Sequence, residues 1–83
     1  MALNTRIGTI AILIEDKNQV GRINTLLTEY GDVIIGRIGL PYRERGVSII
    51  SVIVEGTGDD VGALSGKLGM LAGVKTKALL LTK

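Results

Sequence analysis

VGRINTLLTEYG, residues 20–31, is echoed by VGALSGKLGMLAG, residues 61–73. Ile23, Leu27 and Tyr30 in the first copy match Leu64, Leu68 and Leu71 in the second at identical spacing. That spacing places each trio on one stripe of a helix. Asp16 or Asn18 starts the first helix and Gly31 ends it; Thr57 or Asp59 starts the second and Gly73 ends it.

Each helix follows a run of β-branched residues that closes on a glutamate, Glu15 or Glu55. In Thr5–Glu15, Ile10, Ile12 and Ile14 fall on one face, with Ile7 and Leu13 on the other. In Val47–Glu55, Ile50, Val52 and Val54 oppose Ile49 and Ile53. Strands that are apolar on both faces belong in the middle of a sheet that is covered on both sides. Two further strands, at 32–40 and Val74–Leu81, complete the order β-α-β-β-α-β. Two such units predict an α+β, ferredoxin-like fold. In it, a four-stranded antiparallel sheet carries two helices on one face, with the first and third strands central.

The 83 residues make one domain, 1–83, and its composition narrows the chemistry. The chain is 46% hydrophobic yet has no Phe, Trp, Cys or His, so branched aliphatics must build the core. Without His or Cys the usual general bases, activated nucleophiles and soft-metal ligands are missing, which points away from an enzyme and from a bound cofactor. A net charge of +2 is too small to suggest nucleic-acid binding. The apolar run Ile7–Ile14 is too short for a membrane span and lacks the flanks of a signal peptide. A cytoplasmic protein is expected.

The predicted fold leaves one sheet face bare, and here that face carries Ile and Val from both central strands. Such a patch predicts a homo-oligomer, a dimer or tetramer, most simply by sheets stacking on sheets. Lys75, Lys77 and Lys83 would guard the last strand as an edge.

Glu15 and Glu55 are expected to end adjacent parallel strands, so that with Asp16, Asp59 and Asp60 they could gather at one end of the sheet as a hard-cation site. Their other role is to cap the two helices, which is favoured because no calcium-loop spacing is present. No metal is therefore expected. Gly62, Gly66 and Gly69 share one stripe of the second helix, which either packs closely on another backbone or is a contact for a neighbour; close packing within the subunit is preferred. GKLG lacks the spacing of a phosphate loop.

Chemical variety concentrates in GRIGLPYRERG, residues 36–46, which holds the chain's single proline and one of its two tyrosines. As a plain turn, Pro41 and Gly46 shape the hairpin and the charges are solvated. As a contact element, Leu40 and Tyr42 supply apolar anchors, while Arg37, Arg43 and Arg45 meet an anionic ligand or the acids of another subunit. The contact reading is preferred. Arg37, Leu40, Pro41, Tyr42, Arg43, Arg45 and Gly46 are the candidate ligand or partner contacts.

YGDVIIGRIGLPYRERG (30–46) and ALSGKLGMLAGV (63–74) resemble the small regulators associated with iron-only hydrogenase systems, and the likeness runs from Arg6 to Leu80. That family looks like ACT-type domains and the ligand-sensing half of nickel-responsive repressors. The resemblance implies an ACT-like fold, oligomeric assembly and a regulatory role. Two features depart from those relatives. Amino-acid-binding ACT domains commonly place Pro-Gly after the first strand, where this chain has Asn18-Gln19. The nickel repressors use His and Cys as ligands and carry a DNA-binding segment, for which there is no room before Arg6. Regulation is then expected to act through a small-molecule ligand or a partner protein, without direct contact to nucleic acid or membrane. The alternative is a structural assembly subunit that binds no ligand; a pocket lined by the hairpin or the first strand–helix turn would separate the two.

Overall fold

The computed structural model describes residues 4–82. Its strands are β1 (Arg6–Ile14), β2 (Ile34–Tyr42), β3 (Val47–Gly56) and β4 (Val74–Leu80), and its α-helices are α1 (Val20–Glu29) and α2 (Gly58–Gly69). The sheet order is β2-β3-β1-β4 with every neighbouring pair antiparallel. This is the ferredoxin-like α+β architecture, with β1 and β3 central as the alternation predicted.

The core forms where the two periodicities meet. Ile10, Ile12 and Ile14 of β1 and Ile50, Val52 and Val54 of β3 point to the helix layer and are buried. Ile23 and Leu27 of α1, and Val61, Leu64 and Leu68 of α2, close over them. Burying each such side chain stabilises the fold by about 1.5–3 kcal/mol before chain entropy is counted.

Local chemistry sets most boundaries. The Asp16 carboxylate accepts the Asn18 N–H at 2.9 Å and opens a 3-10 turn, Lys17–Gln19, that runs into α1. Thr57 accepts the Asp60 N–H at 3.0 Å, and Asp59 and Asp60 sit in the first turn of α2, where carboxylates suit the helix dipole.

Several expectations are corrected. Gly31 is no left-handed cap: Tyr30 caps α1 and Gly31–Val33 form a 3-10 turn. α2 stops at Gly69, four residues before Gly73, which takes a left-handed φ of 73° in the turn to β4. Pro41 lies within β2 instead of a turn, as an edge strand permits. The hairpin connection contracts to a 3-10 turn, Arg43–Arg45, closed by Gly46 at φ 66°.

The acids do not gather. β1 and β3 are antiparallel, with Ile7 opposite Glu55 and Ile14 opposite Ser48, so Glu15 and Glu55 lie at opposite ends of the sheet. The reason is topological: the β2–β3 hairpin reverses the chain, so the second strand–helix unit enters the sheet upside down relative to the first. Glu15 pairs with Lys75 at 3.6 Å, and Glu55 accepts the Thr5 hydroxyl at 3.1 Å. Among the described residues no three acidic side chains come together as a metal-binding group.

The glycine stripe of α2 is also unlike its prediction. A Cβ at Gly62 or Gly66 would meet nothing within 4 Å, and only Gly69 is crowded, at 3.1 Å from the Thr76 hydroxyl oxygen. An open helix interior is where alanine outperforms glycine by about 1 kcal/mol. Gly66→Ala should therefore raise the thermal midpoint by about 4–8 °C. A fall in the melting curve would mean that this face is covered in solution.

Candidate functional site

The hairpin residues divide between two faces because a strand alternates its side chains. Leu40 and Tyr42 pair with Ile49 and Val47 on the side away from the helices. Arg37 and Pro41 pair with Val52 and Ser48 on the helix side. An irregularity between Ile34 and Gly36 sets this phase, keeping Ile34 at the core while Ile35 is 61% exposed. Arg43 and Arg45 occupy the connecting turn, and the Tyr42 hydroxyl donates to the Glu44 carboxylate at 3.4 Å.

On the helix side, the β1–α1 turn and the hairpin enclose a groove of about 380 Å³, lined by Lys17, Val20, Pro41, Arg43, Val47 and Ser48. A second hollow of about 220 Å³ adjoins it and shares Val20, Pro41 and Ser48, adding Asn24, Arg37 and Gly39. Arg37 is held there by its Nη2 donating to the Asn24 side-chain oxygen at 3.2 Å. Arg45 lines neither hollow. No carboxylate lines either one, and among the described residues none of Lys17, Arg37 and Arg43 has an acidic partner.

Lys17, Asn24 and Ser48 were missing from the sequence reading. Ser48 was recoverable, since a hairpin register that places Pro41 beside it puts both on one face. Lys17 comes from the β1–α1 turn and Asn24 from α1, segments whose distance to the hairpin no local pattern encodes.

The other sheet face is open and mainly aliphatic. Across the strands, Leu40, Ile49 and Leu13 form one row, followed by Ile38, Ser51 and Ala11. Ile53, Thr9 and Leu79 form the next row. Ile38 is 67% exposed and Ile53 51%. Thr9 satisfies its hydroxyl within the sheet by donating to the Val52 carbonyl at 3.0 Å. Lys75 and Lys77 of β4, opposite Leu13 and Ala11, border this face.

Elsewhere, the Lys67 ammonium lies 5.2 Å from the Tyr30 ring centroid and bridges α2 to the end of α1. Its hydrogen bond to Tyr30 raises its pKa above the ordinary lysine value, so it stays charged at neutral pH. Among the described residues no helix is long and apolar enough to cross a membrane.

Residues 6–78 match the model of the TM1266-like family, proposed regulators of iron-only hydrogenase systems. Protein TM1266 from Thermotoga maritima is 37% identical, with a TM-score of 0.88 over 94% of this chain and 99% of that one. A protein of unknown function from Galdieria sulphuraria, 13% identical, superposes with a TM-score of 0.65 over 95% of this chain and 46% of its own. CPII, a nitrogen regulatory PII-like protein from Thiomonas intermedia K12, is 13% identical with a TM-score of 0.52, over 95% of this chain and 98% of its own. At those lower identities the likeness is one of fold. No curated protein matches the chain.

Proposed function

Since the chain belongs to the TM1266-like family of proposed iron-only hydrogenase system regulators, we propose that it is a non-catalytic regulatory domain that works as a homo-oligomer. In this reading residues 1–83 form one ACT-like unit, a dimer or tetramer. The unit binds a small ligand or a partner protein through the hairpin, with Arg37, Leu40, Pro41, Tyr42, Arg43, Arg45 and Gly46 as contacts.

The observation that carries the assembly is the open sheet face. It exposes large aliphatic side chains, Ile38 at 67%, Leu79 at 59% and Ile53 at 51%, a patch of the kind that marks interaction sites. A second copy of the same face suits it better than a charged partner, because its centre is aliphatic and, among the described residues, its cations stand at the β4 margin. A two-fold axis along the strands lays each β4 over the second copy's β2, beyond whose end lies Glu44. An axis across the strands would instead lay Lys75 and Lys77 over their own counterparts, which like-charge repulsion disfavours.

The groove between the β1–α1 turn and the hairpin favours a sensor over a bare assembly subunit, since it joins the two segments expected to line a ligand site. Sedimentation velocity at micromolar concentration tests the assembly. A dimer or tetramer is expected; a folded monomer would end the proposal.

A further inference from the structure

We propose that the groove between the β1–α1 turn and the hairpin binds a small organic molecule through a multiply charged oxyanion, phosphate or carboxylate. The inference rests on the regulatory reading above and supplies the chemical class of its ligand.

Three observations carry it. First, Lys17 and Arg43 line the groove and Arg37 lines the hollow that adjoins it, with no carboxylate among the lining residues of either. Among the described residues none of these three cations forms an ion pair, which leaves their charge available to an anion. Second, the donor set suits oxygen anions. Two guanidinium groups offer planar forks that match carboxylate or phosphate oxygens, and an ammonium adds a point charge. The Asn24 oxygen already steadies the Arg37 fork at 3.2 Å, which lowers the cost of ordering it around a ligand. Third, apart from Ser48 the rest of the groove's lining carries no polar side chain. Val20, Pro41 and Val47 offer a surface for a carbon body, and about 380 Å³ lies within the range of small-ligand sites. Gly46, at φ 66°, brings bare backbone to the groove beside Arg43.

The charges come from distant parts of the chain: Lys17 from the β1–α1 turn, Arg37 from β2 and Arg43 from the hairpin turn. An anion bound between Lys17 and Arg43 would tie the β1–α1 turn to the hairpin turn. That gives a ligand a way to stiffen the hairpin, whose β2 also carries Leu40 and Tyr42 on the open face. Occupancy of one face would thus be felt at the other.

The test is calorimetric titration of the full chain with pyrophosphate and, separately, with citrate, at low ionic strength. Arg43→Gln, Lys17→Gln and Arg37→Gln are compared with Arg22→Gln and Lys77→Gln, which remove charges outside the groove. One saturable site per chain is expected for at least one probe. Its affinity should fall at least tenfold in Arg43→Gln and change less than twofold in the two controls. Preference for pyrophosphate assigns a phosphate ligand, and preference for citrate a carboxylate. Absence of saturable binding by both probes overturns the proposal, as does an equal loss in the controls. Sedimentation of the same samples separates the two ideas. An assembled protein that binds neither anion refutes the groove alone, whereas a monomer that binds one refutes the assembly alone.

Discussion

Ile53→Lys is expected to leave the domain folded and to abolish its self-association. Ile53 is 51% exposed at the centre of the open face, flanked by Thr9 on β1 and Gly36 on β2. In an isolated subunit a lysine there reaches solvent, and an exposed substitution changes stability by no more than about 0.5 kcal/mol. In a stacked pair the ammonium would be taken out of water against aliphatic side chains with no acid in its row. That costs several kcal/mol per charge, and two-fold symmetry brings two. Since each 1.4 kcal/mol is a factor of ten, the dissociation constant should rise by more than about a hundredfold. Sedimentation across a concentration series reads this directly, with circular dichroism confirming the fold. An unchanged mass would show that the sheet face is not the contact.

The second large effect is expected at Gly73. Its φ of 73° is a conformation that side chains with a Cβ adopt at a cost, and the space is already filled. A Cβ there would lie 2.7 Å from the Asp16 Cβ and 3.2 Å from the Asp16 nitrogen. Retreat is blocked, because the Gly73 carbonyl accepts the Glu15 N–H at 2.7 Å and so ties the start of β4 to the end of β1. Gly73→Ala must keep the strain or break that tie, and should lose about 2–4 kcal/mol in denaturant unfolding. For a domain of this size that is a large part of a total of about 4–12 kcal/mol. Gly31→Ala is the control: a Cβ there meets nothing within 4 Å and its φ is negative, so stability should hold or rise slightly. Equal losses at both sites would refute the argument.

Those two glycines show where the sequence stops being informative. Both end a helical echo, and read along the chain they are equivalent. A left-handed φ and the approach of Asp16, more than fifty residues from Gly73 in the chain, separate them. The arginines behave the same way. Their concentration between residues 36 and 46 is visible in the sequence, but the face that Arg37 takes depends on an irregularity at Ile34 and Gly36, and of the two arginines in the turn only Arg43 lines the groove.

The sequence by itself determined the element order, the inner face of each central strand and the α+β class. These follow from periods of two and of about 3.6 residues, which neighbouring positions impose on one another. It also pointed to the regulator family through two long motifs. The tertiary structure alone decided that Glu15 and Glu55 part company, that Gly62 and Gly66 lie open, and that Lys17 and Asn24 meet the hairpin at the groove and at the hollow beside it. Each of these depends on strand direction, register and the seating of a helix on a sheet. Such relations link segments far apart in the chain, and they are settled by how the whole core packs, so no local pattern of residues can encode them.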